Sequence, residues 1–277
     1  MPAMLCPGCR KLISDDEARC PYCGALRPGL WGVGPRLQRL FGHQLQLVPV
    51  ITVACATLYV ISLLVDWRAA LSPQSGLFGI LGPSMRALYL LGMTGRDSLE
   101  LGHYWTLLTA IYLHGGLLHI VFNVMWIRQL GTFTEEALGP ARFFVVYSLA
   151  GAGGFLASST LGHNPSIGAS GSIFGLLGAM IAYRRRRGGG RDVLTQQFLT
   201  WAVVLFVFGL VMKGVDNWAH LGGFTTGYVL GRRLHGVRER HESRGIQILA
   251  LALLVLTVAG FVLSFVRFLP AFMSTRS

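Results

Sequence analysis

The sequence Gly-Ala-Ser-Gly at positions 168–171 stands at the start of one apolar run, and Asn-Trp-Ala-His-Leu-Gly-Gly at 217–223 stands at the start of another. Ser170 and His220 therefore lie just inside two separate apolar segments. A polar side chain in hydrocarbon costs free energy and usually faces a cavity or a partner, so such residues are functional candidates. Because serine with histidine is also the minimal pair that activates a hydroxyl nucleophile, the two stretches predict membrane helices that carry a hydrolytic site.

The composition is that of a membrane protein. Of the 277 residues, 52% are hydrophobic and only 13% are charged, whereas soluble proteins carry about a quarter charged residues. The apolar residues gather in stretches close to the roughly 20 residues that span a bilayer core. We therefore predict an all-α polytopic membrane protein. Its seven predicted spans cover residues 45–66, 114–133, 142–161, 170–183, 198–212, 217–234 and 246–268, of which the fourth and fifth are short.

The basic residues mark one side of the predicted membrane. The chain has 24 Lys and Arg against 12 Asp and Glu, a net charge of +12. With the N-terminus inside, most of the basic residues fall on the inner side, in keeping with the positive-inside rule. The four arginines at 184–187 are interpreted as a topology anchor, with contact to anionic lipid head groups as the alternative. This distribution argues against nucleic acid as a partner and predicts a multi-pass protein of a bacterial inner membrane with a cytoplasmic N-terminus.

Four cysteines near the N-terminus form a separate motif. Two Cys-x2-Cys pairs are present, and Pro and Gly residues at 7, 8, 21 and 24 supply tight turns that aim both pairs at one ion. The expected ligands of a structural zinc ion are Cys6, Cys9, Cys20 and Cys23. Two disulfides are the alternative, but thiols stay reduced in the cytoplasm. We predict a zinc-ribbon-like module over 1–27 that needs its metal to fold and a linker over 28–44; whether the module binds a protein partner stays open.

A second group of polar residues lies in the second predicted span, where the sequence at 114–123 is His-Gly-Gly-Leu-Leu-His-Ile-Val-Phe-Asn. His119 and Asn123 are four residues apart and share one face of a helix. Both can donate hydrogen bonds to a carbonyl oxygen that gains negative charge during acyl transfer. Polar contacts between helices are the alternative role. A metal site at His114 and His119 is disfavoured, because positions five apart on a helix splay the two side chains and no acidic partner follows as in His-Glu-x-x-His.

Small residues recur along the fourth and sixth predicted spans. The glycines concerned are Gly171, Gly175 and Gly178 in the fourth span, and Gly223, Gly227 and Gly231 in the sixth. Small-residue stripes let two helix backbones approach closely. Close approach of these two helices is what would bring Ser170 within hydrogen-bond reach of His220. Gly168 would in addition allow a tight turn immediately before the serine.

A carboxylate to complete a catalytic triad is not obvious. Residues 143–191 contain no Asp or Glu. Asp216 stands one turn before His220, and we assign it to an external loop or to the N-cap of the following helix. The sequence therefore predicts a Ser–His dyad.

Three motifs together resemble the rhomboid intramembrane serine proteases. They are Gly-Ala-Ser-Gly at 168–171, His-x4-His-x3-Asn at 114–123 and Ala-His-x2-Gly-x3-Gly at 219–227. Their order and spacing match that family across residues 45–235. The resemblance implies a six-helix catalytic core over 45–235, followed by a cytoplasmic connection and a seventh transmembrane helix over 236–277.

The resemblance also implies an activity and a role for each motif residue. Ser170 would be the nucleophile and His220 the general base. His119, Asn123 and the Ser170 backbone N–H would form the oxyanion hole, and Phe174 matches a position where relatives pack an aromatic ring on the histidine. The expected substrates are transmembrane segments of single-span proteins in the lipid bilayer, cut near the outer membrane boundary without a catalytic cofactor.

Two features depart from that resemblance. Relatives often carry Trp-Arg in the first outer loop, where this chain has Trp105-Thr106, and the cysteine motif lies outside the resemblance altogether. Two other function classes are alternatives. A catalytically silent relative that binds membrane clients would be marked by loss of the serine or the histidine, and both are present. A transporter would be supported by inverted repeats or paired acidic residues, and neither is evident.

Overall fold

A computed structural model of the chain describes residues 3–6, 9, 11–14, 17–24, 46–71, 80–162, 165–212, 214–234 and 242–274. The chain forms two compact units, Met1–Gln46 and Leu47–Ser277. The linker predicted over 28–44 lies outside the described residues.

The first unit contains a small antiparallel hairpin. Strand β1, Ala3–Leu5, pairs with β2, Leu12–Ser14, so that Ala3 lies opposite Ser14. Cys6, Ile13 and Cys20 form its buried cluster. The turn after the second cysteine pair depends on Gly24, whose φ of 70° favours glycine and whose N–H donates to the Cys20 carbonyl at 2.9 Å. Positions 7 and 8, which were expected to form the matching first turn, lie outside the described residues.

The second unit is helical. Its helices are α1 Leu47–Val65, α2 Trp67–Leu71, α3 Met85–Leu90, α4 Arg96–Glu100, α5 Thr106–Thr109, α6 Leu117–Trp126, α7 Thr132–Leu138, α8 Pro140–Ala157, α9 Ser170–Arg186, α10 Val193–Val211, α11 Asn217–Arg233 and α12 Arg244–Ser274. A 3₁₀ turn, Ala110–Tyr112, extends α5. A π-helical turn, Ile127–Gly131, joins α6 to α7, and a second one, Ser158–Gly162, extends α8.

The helices are those of an all-α integral membrane protein. Four are long and apolar enough to cross a bilayer, namely Leu47–Val65, Pro140–Gly162, Val193–Val211 and Arg244–Pro270. A bent pair, Thr106–Tyr112 with Leu117–Leu138, would supply a fifth span across a 94° break. Helices α9 and α11 have 17 residues each, which gives a length of about 26 Å at about 1.5 Å per residue. They stand at the short end of the range for a membrane helix.

The predicted bounds of the second span were wrong. The helix begins at Leu117 instead of position 114, and the helical path continues through Leu138. The physical reason is the Gly115-Gly116 pair: Gly116 is fully extended, with φ 171° and ψ 169°, and separates the helix from the preceding turn. The helix of the fifth predicted span, α10, also begins earlier than predicted, at Val193, because the Asp192 side chain accepts the Thr195 N–H at 2.8 Å and caps the helix.

The closest helix contact in this unit joins α9 to α11. A Cβ atom on successive glycines of α11 would overlap a carbonyl oxygen of α9; the pairs are Gly223 with Gly171, Gly227 with Gly175, and Gly231 with Ala179. Gly178 of α9 likewise lies against the Phe224 carbonyl. The two glycine stripes therefore face each other, as their spacing predicts. Helix α8 packs against the same pair and presents Gly154 to the Ala219 carbonyl.

Carboxylates cap two helices, α1 and α10, at the end of the unit opposite the start of α9. Glu135 accepts the N–H groups of Leu47 and Val48 at 2.6 and 3.2 Å, at the first turn of α1. Asp192 pairs with Arg184, and hydrogen bonds from Arg184 and Thr195 lower the pKa of Asp192 to about 2. These carboxylates satisfy N–H groups that helix geometry leaves unpaired.

The Trp105-Thr106 segment, predicted to lie in the first outer loop, is anchored to the seventh predicted span. Trp105 donates its indole N–H to Oγ of Ser264 at 2.9 Å, across 159 positions of sequence. Thr106 is buried, and its hydroxyl bonds to the His103 carbonyl at 2.7 Å and lies 3.1 Å from the Thr94 hydroxyl. At the position where the resemblance leads one to expect an arginine, this chain therefore places a threonine that packs inside the protein.

Candidate active site

Ser170 and His220 are brought together by the α9–α11 contact. Ser170 is the first residue of α9, and His220 lies in the first turn of α11. The distance from Ser170 Oγ to His220 Nε2 is 3.0 Å, which is within hydrogen-bond reach of a nucleophile and its base. The histidine ring is buried, and the serine is half-buried. The pair therefore has the separation that proton transfer from the hydroxyl requires.

The His220 ring is held on two further sides. Its Nδ1 lies 3.2 Å from Oδ1 of Asn217, and the Phe174 ring stacks on it with centroids 4.2 Å apart and planes 17° apart. A neutral imidazole that donates from Nδ1 to an amide oxygen leaves Nε2 free to accept. This is the tautomer that can take the Ser170 proton. Asn217 was not predicted from the sequence, where its only signal is an amide three residues before a histidine on one helix.

His119 lies beside the loop that leads into Ser170. The Gly115 N–H donates to His119 Nδ1 at 3.3 Å, so the neutral ring carries its proton on Nε2. Gly168, with φ 119°, faces that nitrogen, and a Cβ there would lie 2.6 Å from His119 Nε2. Glycine is therefore required at 168 for both its backbone conformation and its close approach.

Asn123 lies one turn after His119 and bonds to it. The Asn123 side-chain amide donates to the His119 carbonyl at 2.8 Å, and the side chain is buried. An Asn amide has two donor hydrogens, so one remains for another acceptor. The structure thus places two potential donors, on His119 and Asn123, one helical turn apart, with His119 beside the serine loop.

His114 belongs to the bend before α6 and not to the helix. Its ring is fully buried and meets His119 edge-on, with centroids 5.1 Å apart. The expectation that five residues of helix would splay these two rings was therefore wrong. Within the described parts of the chain, the candidate metal-binding group is the cysteine cluster, and these two histidines are not part of it.

Asp216 is the N-cap of α11. Its Oδ1 accepts the Ala219 N–H at 2.9 Å, so the N-cap assignment is confirmed. Its Oδ2 accepts the hydroxyls of Ser158 and Ser166, the latter at 2.6 Å. The Nδ1 partner of His220 is Asn217 and not this carboxylate.

Comparison with known proteins shows the family to which this chain belongs. The Rhomboid domain family matches residues 101–237, a range that contains all of the site residues described above. The chain is 32% identical over 206 residues to RHOMBOID-like protein 1 of Arabidopsis thaliana, covering 67% of this chain and 52% of that protein. This chain is a rhomboid family protein.

Two further relatives of this rhomboid differ in what their names say. The chain is 33% identical over 176 residues to Rhomboid protease GluP of Bacillus subtilis, covering 63% of this chain and 34% of that protein. The chain is also 31% identical over 152 residues to Inactive RHOMBOID-like protein 8 of Arabidopsis thaliana, covering 52% of this chain and 42% of that protein. The chain thus spans about half the length, or less, of these curated relatives.

A candidate metal centre lies in the first unit of this rhomboid, outside the matched range. The four Sγ atoms of the cysteine pairs all lie within 4.8 Å of one another, with Cys6–Cys23 at 3.7 Å and Cys9–Cys20 at 3.6 Å. Tetrahedral ligands at about 2.3 Å from zinc are roughly 3.8 Å apart. Burial raises the pKa of the Cys20 thiol, but hydrogen bonds from Tyr22 and its cysteine neighbours outweigh that effect and lower the pKa to about 7. The cluster therefore fits a tetrahedral metal ion.

Proposed function

We propose that this rhomboid is an intramembrane serine protease that cuts transmembrane segments of single-span proteins through a Ser170–His220 dyad. The observation that carries the proposal is the 3.0 Å separation of Ser170 Oγ and His220 Nε2 inside a helical membrane protein. The similarity to a rhomboid protease supports the same reaction class.

The dyad moves protons in both halves of the reaction, acylation and deacylation. His220 Nε2 accepts the Ser170 proton as the oxygen attacks the scissile carbonyl, which forms a tetrahedral intermediate. The imidazolium then returns that proton to the leaving amine, so the peptide bond breaks and an acyl-enzyme remains. Water, deprotonated by the same nitrogen, hydrolyses the ester and restores the serine. Asn217 and Phe174 hold the ring in place throughout.

The developing negative charge needs donors aimed at it. The Nε2–H of His119, the free amide hydrogen of Asn123 and the Ser170 backbone N–H are our candidates for this oxyanion hole. Such donors act best where they are fixed before the reaction and shielded from water. The burial of Asn123 and its bond to the His119 carbonyl support the assignment.

We place the cleavage site near the outer membrane boundary. Ser170 and His220 lie at the starts of α9 and α11, while the arginines of 184–187 lie at the other end of α9. With the basic end inside, the dyad lies towards the outside. A substrate helix hides its carbonyls in hydrogen bonds, so it must unwind before it is cut, and Gly or Pro in the substrate would favour that step.

The test is direct cleavage in a purified system. The protein is incubated in lipid vesicles with a panel of single-span membrane proteins, beside the Ser170→Ala variant. We expect fragments from at least one substrate with the wild type and none with the variant. Substrate binding by both proteins without cleavage would instead identify a silent, client-binding rhomboid.

For the first unit we propose a structural zinc ion held by the four cysteines, with no part in the chemistry. The ion would be bound by thiolates and would supply folding free energy to a module too small to bury a core. We further propose that this module is cytoplasmic, where it is available to a protein partner, and that the protein resides in a bacterial inner membrane.

A further inference from the structure

Asp216 joins three segments of the chain through its side chain. Its carboxylate accepts the Ser158 hydroxyl, the Ser166 hydroxyl at 2.6 Å and the Ala219 N–H at 2.9 Å. Ser158 begins the π-helical turn that extends α8, Ser166 lies in the loop before α9, and Ala219 lies in the first turn of α11. Both serines are almost completely buried.

Two of these segments carry the reacting residues. Ser166 stands four residues before Ser170, and Asp216 stands four residues before His220. The Ser166 backbone is fixed as well, because its N–H donates to the Thr94 carbonyl at 2.8 Å. The carboxylate is therefore a direct link between the loop that leads into the nucleophile and the helix that carries the base.

The chemistry of this link calls for a carboxylate. An ionised Asp only accepts hydrogen bonds and offers two oxygens, so one group can receive two buried hydroxyls and a helix N–H together. Hydrogen bonds to an ionised acceptor are shorter and stronger than neutral ones. An N-cap alone needs none of this, since Ser and Asn cap helices about as well as Asp.

We infer that Asp216 is a positioning residue that sets the Ser170–His220 separation by tying the serine loop to the histidine helix. The inference rests on the proposed protease function. Because displacement of a reacting group by about 1 Å can cost about 10²-fold in rate, loss of this link acts on turnover and not on substrate binding.

Asp216 has two roles, as the N-cap of α11 and as the link to the two serine hydroxyls, and the Asp216→Ser variant keeps the first and removes the second. Serine keeps a side-chain oxygen for the Ala219 N–H, but its shorter side chain no longer reaches the two hydroxyls. The matched control is Asp192→Ser at the N-cap of α10, at the other end of the helices. Both variants are assayed in vesicles for kcat, KM and thermal unfolding with a substrate that the wild type cleaves.

We expect Asp216→Ser to lower kcat about 10- to 100-fold, with KM and the unfolding temperature close to those of the control variant. Wild-type kcat, or a loss explained by unfolding alone, overturns the inference. If Asp216→Ser does not fold, Ser166→Ala decides: a lower kcat at unchanged KM supports the link, and wild-type kcat overturns it. A wild-type protein that cleaves nothing contradicts the proposed function instead, so the two failures are distinguishable.

Discussion

Asn217 Oδ1 lies 3.2 Å from Nδ1 of His220, three residues earlier on the same helix. The amide thus occupies the position behind the histidine at which a carboxylate would complete a triad. A neutral amide can orient the ring and fix its tautomer, but it adds no negative charge behind the imidazolium.

Asn217→Ala should lower kcat by about fivefold to tenfold, because a neutral hydrogen bond contributes about 1 kcal/mol. KM should change little, since the amide faces His220 and not the substrate. The measurement is steady-state cleavage in vesicles, with Leu221→Ala as the control, because Leu221 is adjacent to His220 but 46% exposed. Equal kcat in both variants would remove Asn217 from the mechanism.

Asn123→Ala and His119→Ala should each lower kcat about 10²-fold, the usual cost of one oxyanion donor. Substrate binding should be nearly unchanged, because these hydrogen bonds strengthen only as charge develops. Val121→Ala is the control, since Val121 lies on α6 between them and is 52% exposed. A rise in KM at constant kcat would contradict the assignment.

Gly227→Ala should destabilise the membrane fold, because its Cβ would overlap the Gly175 carbonyl oxygen at the α9–α11 contact. We expect the free energy of unfolding to fall by about 1–3 kcal/mol, the usual cost of overpacking. Gly245→Ala is the matched control, as the nearest atom to its Cβ lies 3.9 Å away, at Ser243 Oγ. Equal thermal unfolding of the two variants would show that the close approach is not required.

The purified chain should contain about one zinc ion, and Cys6→Ser with Cys9→Ser should remove it. Deletion of residues 1–30 should leave cleavage of a generic substrate in detergent largely intact, because the metal has no part in the dyad. Elemental analysis and activity of the truncated protein check both points. Stoichiometric zinc with complete loss of activity on truncation would give the module a catalytic role.

Local sequence signals predicted the helices and the principal residues, and they failed where tertiary contacts decide. A serine and a histidine in apolar runs, with glycines at four-residue spacing, indicated the α9–α11 pair. The start of α6 was misplaced because Gly115-Gly116 reads as part of an apolar helix. Nothing local indicates that Trp105 bonds to Ser264, because that contact depends on how the last helix packs.

The most direct test compares Ser170→Ala, His220→Ala and the double variant with the wild type, using one single-span substrate in vesicles. The effects of substituting residues that act as a unit do not add, so removal of either side chain lowers the rate about as much as removal of both. We predict that all three variants lose cleavage to the same residual level while retaining wild-type thermal unfolding. Cleavage by Ser170→Ala at the wild-type rate would contradict the dyad.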